Sequence, residues 1–105
     1  METDSIISVL KELTLDFVKG KRTRQETVRE LQKRIDPDEV YDMPENVPKQ
    51  VFIREVFVSL NNLTEEGFST SKEEMKYIAE CFEGKREFKR EEIRRFIIGP
   101  FENDK

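Results

Sequence analysis

Leu10 to Leu31 can be laid over Met75 to Phe96, which puts Gly20-Lys21-Arg22 on Gly84-Lys85-Arg86. Two single-residue slips, at Lys19 and Glu87, keep the register. Leu13 then meets Ile78, Phe17 meets Phe82, Val28 meets Ile93 and Leu31 meets Phe96, so apolar falls on apolar along a helical face. A pattern used twice predicts two similar helical hairpins, each turned by a glycine corner. Neither hairpin can bury its apolar stripe alone, so both must pack around whatever lies between them.

The apolar spacing fills in the elements. Ile6, Ile7, Leu10, Leu13, Phe17 and Val18 draw one stripe along a helix from about Asp4 to Lys19, and Gly20 supplies its left-handed stop. Thr23 followed by Glu26 has the spacing of a capping box, which starts a second helix with Val28, Leu31 and Ile35 as its buried edge. Asp36-Pro37 ends that helix. From Asp36 to Pro48, three prolines and five acids leave little room for regular structure, so this stretch reads as a crossover pinned by Val40, Tyr41 and Met43. A third helix, from Pro48 to about Leu63, is the most apolar in the chain. Its positions 52, 56, 60 and 63 share a face, and it is expected to sit at the centre. Ser69, Thr70 and Ser71 with Glu73 and Glu74 offer overlapping caps for a fourth helix that carries Met75, Ile78, Ala79 and Phe82 and stops at Gly84. A fifth is expected over Lys89 to Ile98, stopped by Gly99-Pro100. The expectation is therefore an all-α, single-domain five-helix bundle over residues 1–105, with two repeat-related hairpins packed around a central apolar helix.

Composition sets the compartment and the core. Charged residues make up 40% of the chain, but eight Phe at regular intervals are enough to form a core. A single Cys81 on an apolar helix face cannot form an internal disulfide and suits a reducing cytoplasm. The longest stretch without charge, Val56 to Thr64, is far below the roughly 20 residues of a spanning helix, so no membrane role is expected. The first residues lack the basic flank and apolar run of a secretion signal.

Several chemistries lack their residues. With no histidine, neither a Ser-His-Asp nor a Cys-His site can be built. One Cys and no His leave structural zinc without ligands. The four glycines are isolated, so neither phosphate-cradling glycine fingerprint occurs. Asp36, Asp38, Glu39, Asp42 and Glu45 are oxygen ligands in principle, but a calcium loop wants Gly and Glu where Tyr41 and Val47 stand. Cys81 has no helix start or imidazole to activate it. No cofactor, metal or catalytic residue is expected, and the chain reads as a non-enzyme.

The net charge of -4 conceals a division along the chain. Lys19 to Arg34 carries seven basic and two acidic residues, Ile35 to Val47 five acidic and none basic, and Lys85 to Arg95 six basic against three acidic. Charge runs on amphipathic helices are ordinarily solvated faces laced with ion pairs. Two functional readings go beyond that. The first is a non-catalytic protein-binding module (adaptor, small inhibitor or assembly subunit) with Asp38, Glu39, Tyr41, Asp42 and Met43 of the crossover as the partner-binding residues. The front helical pair is similar in outline to small helical proteins that neutralise bacterial toxins, though no motif carries the likeness. The alternative is nucleic-acid binding through the basic corners, with Lys21, Arg22, Arg24, Lys85, Arg86 and Lys89 on phosphates; the acidic net charge weighs against it. A homodimer is a further expectation if Phe57 or Val58 faces solvent.

Overall fold

The computed structural model describes residues 2–67 and 69–93. Those residues are helical and irregular, with no strand among them. In chain order the helices are α1 (Thr3–Val18), α2 (Arg24–Arg34), α3 (Pro37–Tyr41), α4 (Gln50–Asn61) and α5 (Lys72–Phe82), with a 3-10 turn at Asn62–Thr64. Arg90 to Ile93 are again helical. They begin the helix expected at Lys89; the rest of that helix and its Gly99-Pro100 stop lie outside the described residues.

The two glycine corners share one local geometry. Gly20 (φ +78°) and Gly84 (φ +75°) are left-handed. The Gly20 N–H donates to Phe17 O (3.0 Å) and the Lys21 N–H to Asp16 O (2.8 Å), while Gly84 and Lys85 donate to Cys81 O (3.2 Å) and Glu80 O (2.9 Å). Both are Schellman stops, which satisfy the last helical carbonyls and need a residue without a Cβ penalty at the left-handed position. Beyond the corners the parallel breaks. Thr23 and Glu26 form the reciprocal capping box that starts α2, whereas Phe88 occupies the equivalent position. There the following segment is held by Tyr77, whose hydroxyl accepts the Lys89 N–H (2.7 Å).

The crossover contains a helix that the sequence reading did not anticipate. Asp36 caps it by accepting the Asp38 N–H (3.0 Å), and Pro37 occupies the first turn. Proline is tolerated there because that position has no intrahelical donor to lose. The helix is five residues long and buries Val40.

α4 is shorter and more two-faced than a greasy central rod. It starts at Gln50, after Lys49 in a left-handed conformation (φ 65°), and gives way to the 3-10 turn at Asn62. Its buried apolar residues are Ile53, Val56, Phe57 and Leu60, followed by Leu63 in the turn. Phe52 is only half-buried, and Val51 and Val58 face solvent. α4 packs on α1, α2 and α3, but α1 is as much a hub, touching α2, α4 and α5. One core runs through all of them: Ile6, Leu10, Leu13, Leu31, Ile35, Ile53, Leu60, Leu63, Met75 and Ile78 are almost fully buried.

Candidate interaction surfaces

The acidic crossover is fixed to α4 by Arg54. Its Nη2 donates to the Tyr41 carbonyl (2.8 Å) and reaches the Met43 carbonyl at 3.4 Å. Gln50, buried in the first turn of α4, turns its amide oxygen to the same guanidinium. The Tyr41 ring stands edge-on to Phe57, with centroids 5.7 Å apart. It is nonetheless 48% exposed, so one side of the ring is braced and the other is presented to solvent. Asp38 and Asp42 are exposed beside it, and Glu39 is half-buried.

Met43 does not belong to this surface. It is 8% exposed and part of the core, because the apolar side chain gains more from burial than a polar loop position suggests. Of Phe57 and Val58, the two candidates for uncovered apolar surface, Phe57 is buried at 2% and Val58 is exposed. Sequence reading missed Val51. Val51, Arg54 and Val58 fall at i, i+3 and i+7 and so share one stripe of α4. Tyr41, Val51 (45%) and Val58 (36%) are the exposed large apolar residues among those described. All three lie on α3 or α4, and Val51 also lines the groove that Ile7, Phe82 and Phe88 border.

The basic corners are kept apart. Phe17, Val18 and Gly20 at the end of α1 line a cleft with Lys72 and Lys76 from the start of α5. Ile7 and Lys11 near the beginning of α1 line a groove with Cys81 and Phe82 at the end of α5. The two helices therefore run antiparallel. The Gly20 and Gly84 corners sit at opposite ends of α1, about 24 Å apart for 16 residues, and form no common rim.

Most of the corner cations are engaged. Arg22 pairs with Asp16 (3.2 Å) and Glu12 (3.5 Å). Lys85 pairs with Glu83 (3.7 Å). Arg86 lies 3.7 Å from Glu80 and over the Tyr77 ring. Arg24 Nη1 donates to the carbonyls of Leu63 (2.9 Å) and Thr70 (2.6 Å). Its guanidinium also lies 5.6 Å from the Phe17 ring centroid. That side chain closes the chain between the 3-10 turn and α5. Lys21 and Lys89 have exposed side chains.

The groove between α1 and α5 has a volume of about 560 Å³. Its walls include Phe52, which packs edge-on against both Phe82 and Phe88 with centroids 5.0 Å apart in each case. Cys81 lines it and is half-buried. Burial raises the Cys81 thiol pKa, with the Tyr77 hydroxyl and Arg86 pulling the other way, so the thiolate is disfavoured. Among the described residues no three Cys, Asp or Glu groups gather to hold a cation, and no helix is long and apolar enough to cross a membrane.

No protein-family model, curated protein or solved structure matches the chain, so a functional reading must start from these surfaces.

Proposed function

We propose that this protein is a non-catalytic protein-binding module that meets its partner through the face formed by α3 and the outer stripe of α4. One observation carries the reading. The exposed large apolar side chains among the described residues, Tyr41, Val51 and Val58, fall on these two adjacent elements instead of being scattered. Exposed Asp38 and Asp42 flank Tyr41. An aromatic braced from behind loses little side-chain entropy on binding, and aromatic anchors carry much of the energy of protein interfaces. Carboxylates around the anchor select a basic partner surface and speed encounter with it. An inhibitor that covers a basic site, an adaptor and an assembly subunit all fit this face. A second copy of the chain fits less well, because a face carrying Asp38 and Asp42 would oppose its own charge.

The test is capture with the full chain as bait. Wild type, Tyr41→Ser and Asp38→Lys/Asp42→Lys are compared with Lys21→Glu/Arg22→Glu/Lys85→Glu/Arg86→Glu, and both proteins and nucleic acid are identified. A protein recovered with wild type and the corner variant, but lost with the two face variants, supports the reading. Nucleic acid recovered only when the corners are intact replaces it with the alternative, phosphate binding at Lys21, Arg22, Arg24, Lys85, Arg86 and Lys89.

A further inference from the structure

The cleft at the Gly20 corner joins cations that the sequence keeps about fifty residues apart. It is about 330 Å³ in volume and is lined by Phe17, Val18, Arg22, Arg24, Lys72 and Lys76, with Gly20 and Thr23. Among the described residues no carboxylate lines it. Of the nearby acids, Asp16 accepts from Arg22 (3.2 Å) and Glu26 accepts the Thr23 N–H (2.9 Å), while Glu73 and Glu80, three and four residues from Lys76 on α5, lie outside the lining. Arg22 is neutralised by Asp16 and Glu12, whereas among the described residues the other three cations make no ion pair.

Arg24 is the most informative of them. Both of its hydrogen bonds leave from Nη1 and end on neutral carbonyls, so the guanidinium is held in place without losing its charge. Among the described residues nothing bonds Nε and Nη2, the edge that binds an oxyanion through two parallel bonds. Lys72 and Lys76 stand one helical turn apart on α5, both exposed. No salt bridge or hydrogen bond ties up either ammonium group among the described residues. Three uncompensated positive charges around a floor of Phe17 and Val18 suit a compact dianion carried on an apolar group.

We propose that this cleft binds a dianionic phosphate monoester. Arg24 would take two of its oxygens, Lys72 and Lys76 would neutralise it, and its apolar substituent would lie on Phe17 and Val18. The site is independent of the α3–α4 face and does not rest on the reading given for it. A carboxylate brings one charge and a nucleic-acid phosphodiester one charge per phosphate, whereas a monoester approaches two at neutral pH, with a second pKa near 6.

Calorimetric titration of the full chain tests this with phenyl phosphate, benzoate, a phosphotyrosine peptide and an oligothymidine lacking terminal phosphates. Phenyl phosphate is expected to bind at least about tenfold more tightly than benzoate, a difference of about 1.4 kcal/mol. Its affinity should fall as pH drops through about 6. Lys72→Gln/Lys76→Gln, two exposed positions whose change leaves the core intact, should weaken it about tenfold or more, while Lys85→Gln at the far corner should not change it. Tighter binding of phenyl phosphate than of the peptide identifies a free small molecule as the source, and the reverse identifies a modified side chain; either supports the site. Equal binding of benzoate, an unchanged affinity in Lys72→Gln/Lys76→Gln, or preferred binding of the oligothymidine overturns it.

Discussion

Two buried polar residues test how much a single side chain decides here. Glu74 is 4% exposed and accepts a hydrogen bond from the Ser59 hydroxyl of α4. Burial holds its pKa above the ordinary 4.5; the Ser59 hydrogen bond opposes this, and the charge of Glu55 adds to it. The folded state therefore keeps a proton on Glu74 at pH values where the unfolded chain has lost it. The stability this contributes is complete below the unfolded pKa and is lost as pH rises through the folded one. Urea midpoints of wild type and Glu74→Gln should thus converge near pH 4 and separate above it, with the variant the more stable. Midpoints that stay parallel across the range would show that Glu74 is not the group responsible. Thr14 is fully buried in α1, and its Oγ1 has no hydrogen-bond partner among the described residues. Thr14→Val keeps the shape and removes the unmet hydroxyl, so it should raise stability by about 1 kcal/mol in chemical denaturation. Leu60, at 0% exposure, gives the opposite case: Leu60→Asp would place an unpaired carboxylate in the core and should abolish the cooperative melt. Leu60 was legible from its spacing, but the roles of Glu74 and Thr14 were not legible from residue type. Glu74 has the spacing of an ordinary capping acid, and only the packing of α5 against its neighbours turns it inward.

Among the elements, the helix ends were the most readable, because a cap is a local device. The hydroxyl and carboxylate of Thr23 and Glu26 need only three residues of helix to find each other, and Thr23→Ala should cost about 1 kcal/mol, read as a lower melting temperature with the fold unchanged. Gly20→Ala and Gly84→Ala form a matched pair. A Cβ at either glycine would meet nothing within 4 Å, so the cost is backbone strain alone, about 1–2 kcal/mol at each corner by denaturant titration. The elements misread from sequence are those whose character depends on neighbours. The crossover looked irregular because prolines and acids were weighed as breakers, yet Asp36 and Pro37 stand where a helix start favours both. α4 looked apolar all round because its β-branched and aromatic residues were counted without knowing which side the bundle would leave open. The expected face holds at Val56, Leu60 and Leu63, with Ile53 and Phe57 buried beside them and Phe52 left half-buried at its edge.

At the scale of the molecule, the decisive fact is the antiparallel packing of α1 and α5. It separates two corners that look like one duplicated rim in the sequence, and it brings Lys72 and Lys76 to Arg24 instead. It also leaves the acidic face on α3 and α4, so the surfaces of opposite sign belong to different elements. If the α3–α4 face binds a basic partner as proposed, raising salt from low to physiological strength should weaken that capture. It should leave the melting temperature almost unchanged, because the surface ion pairs, such as Arg34 with Glu12 at 2.7 Å, contribute little to stability. A steep loss of stability with salt would contradict this separation of roles.

The sequence by itself determined the helical class, the first two helices, the glycine corners and the caps, since each follows from contacts within a few residues of chain. It also determined that no histidine-based chemistry is available. Tertiary structure alone decided which apolar side chains stay exposed, that Met43 and Phe57 are buried, and which charges meet across the molecule. Those outcomes depend on how the faces of separate helices are paired, and the free energy of that pairing is shared among residues far apart in the chain, where no local pattern records it.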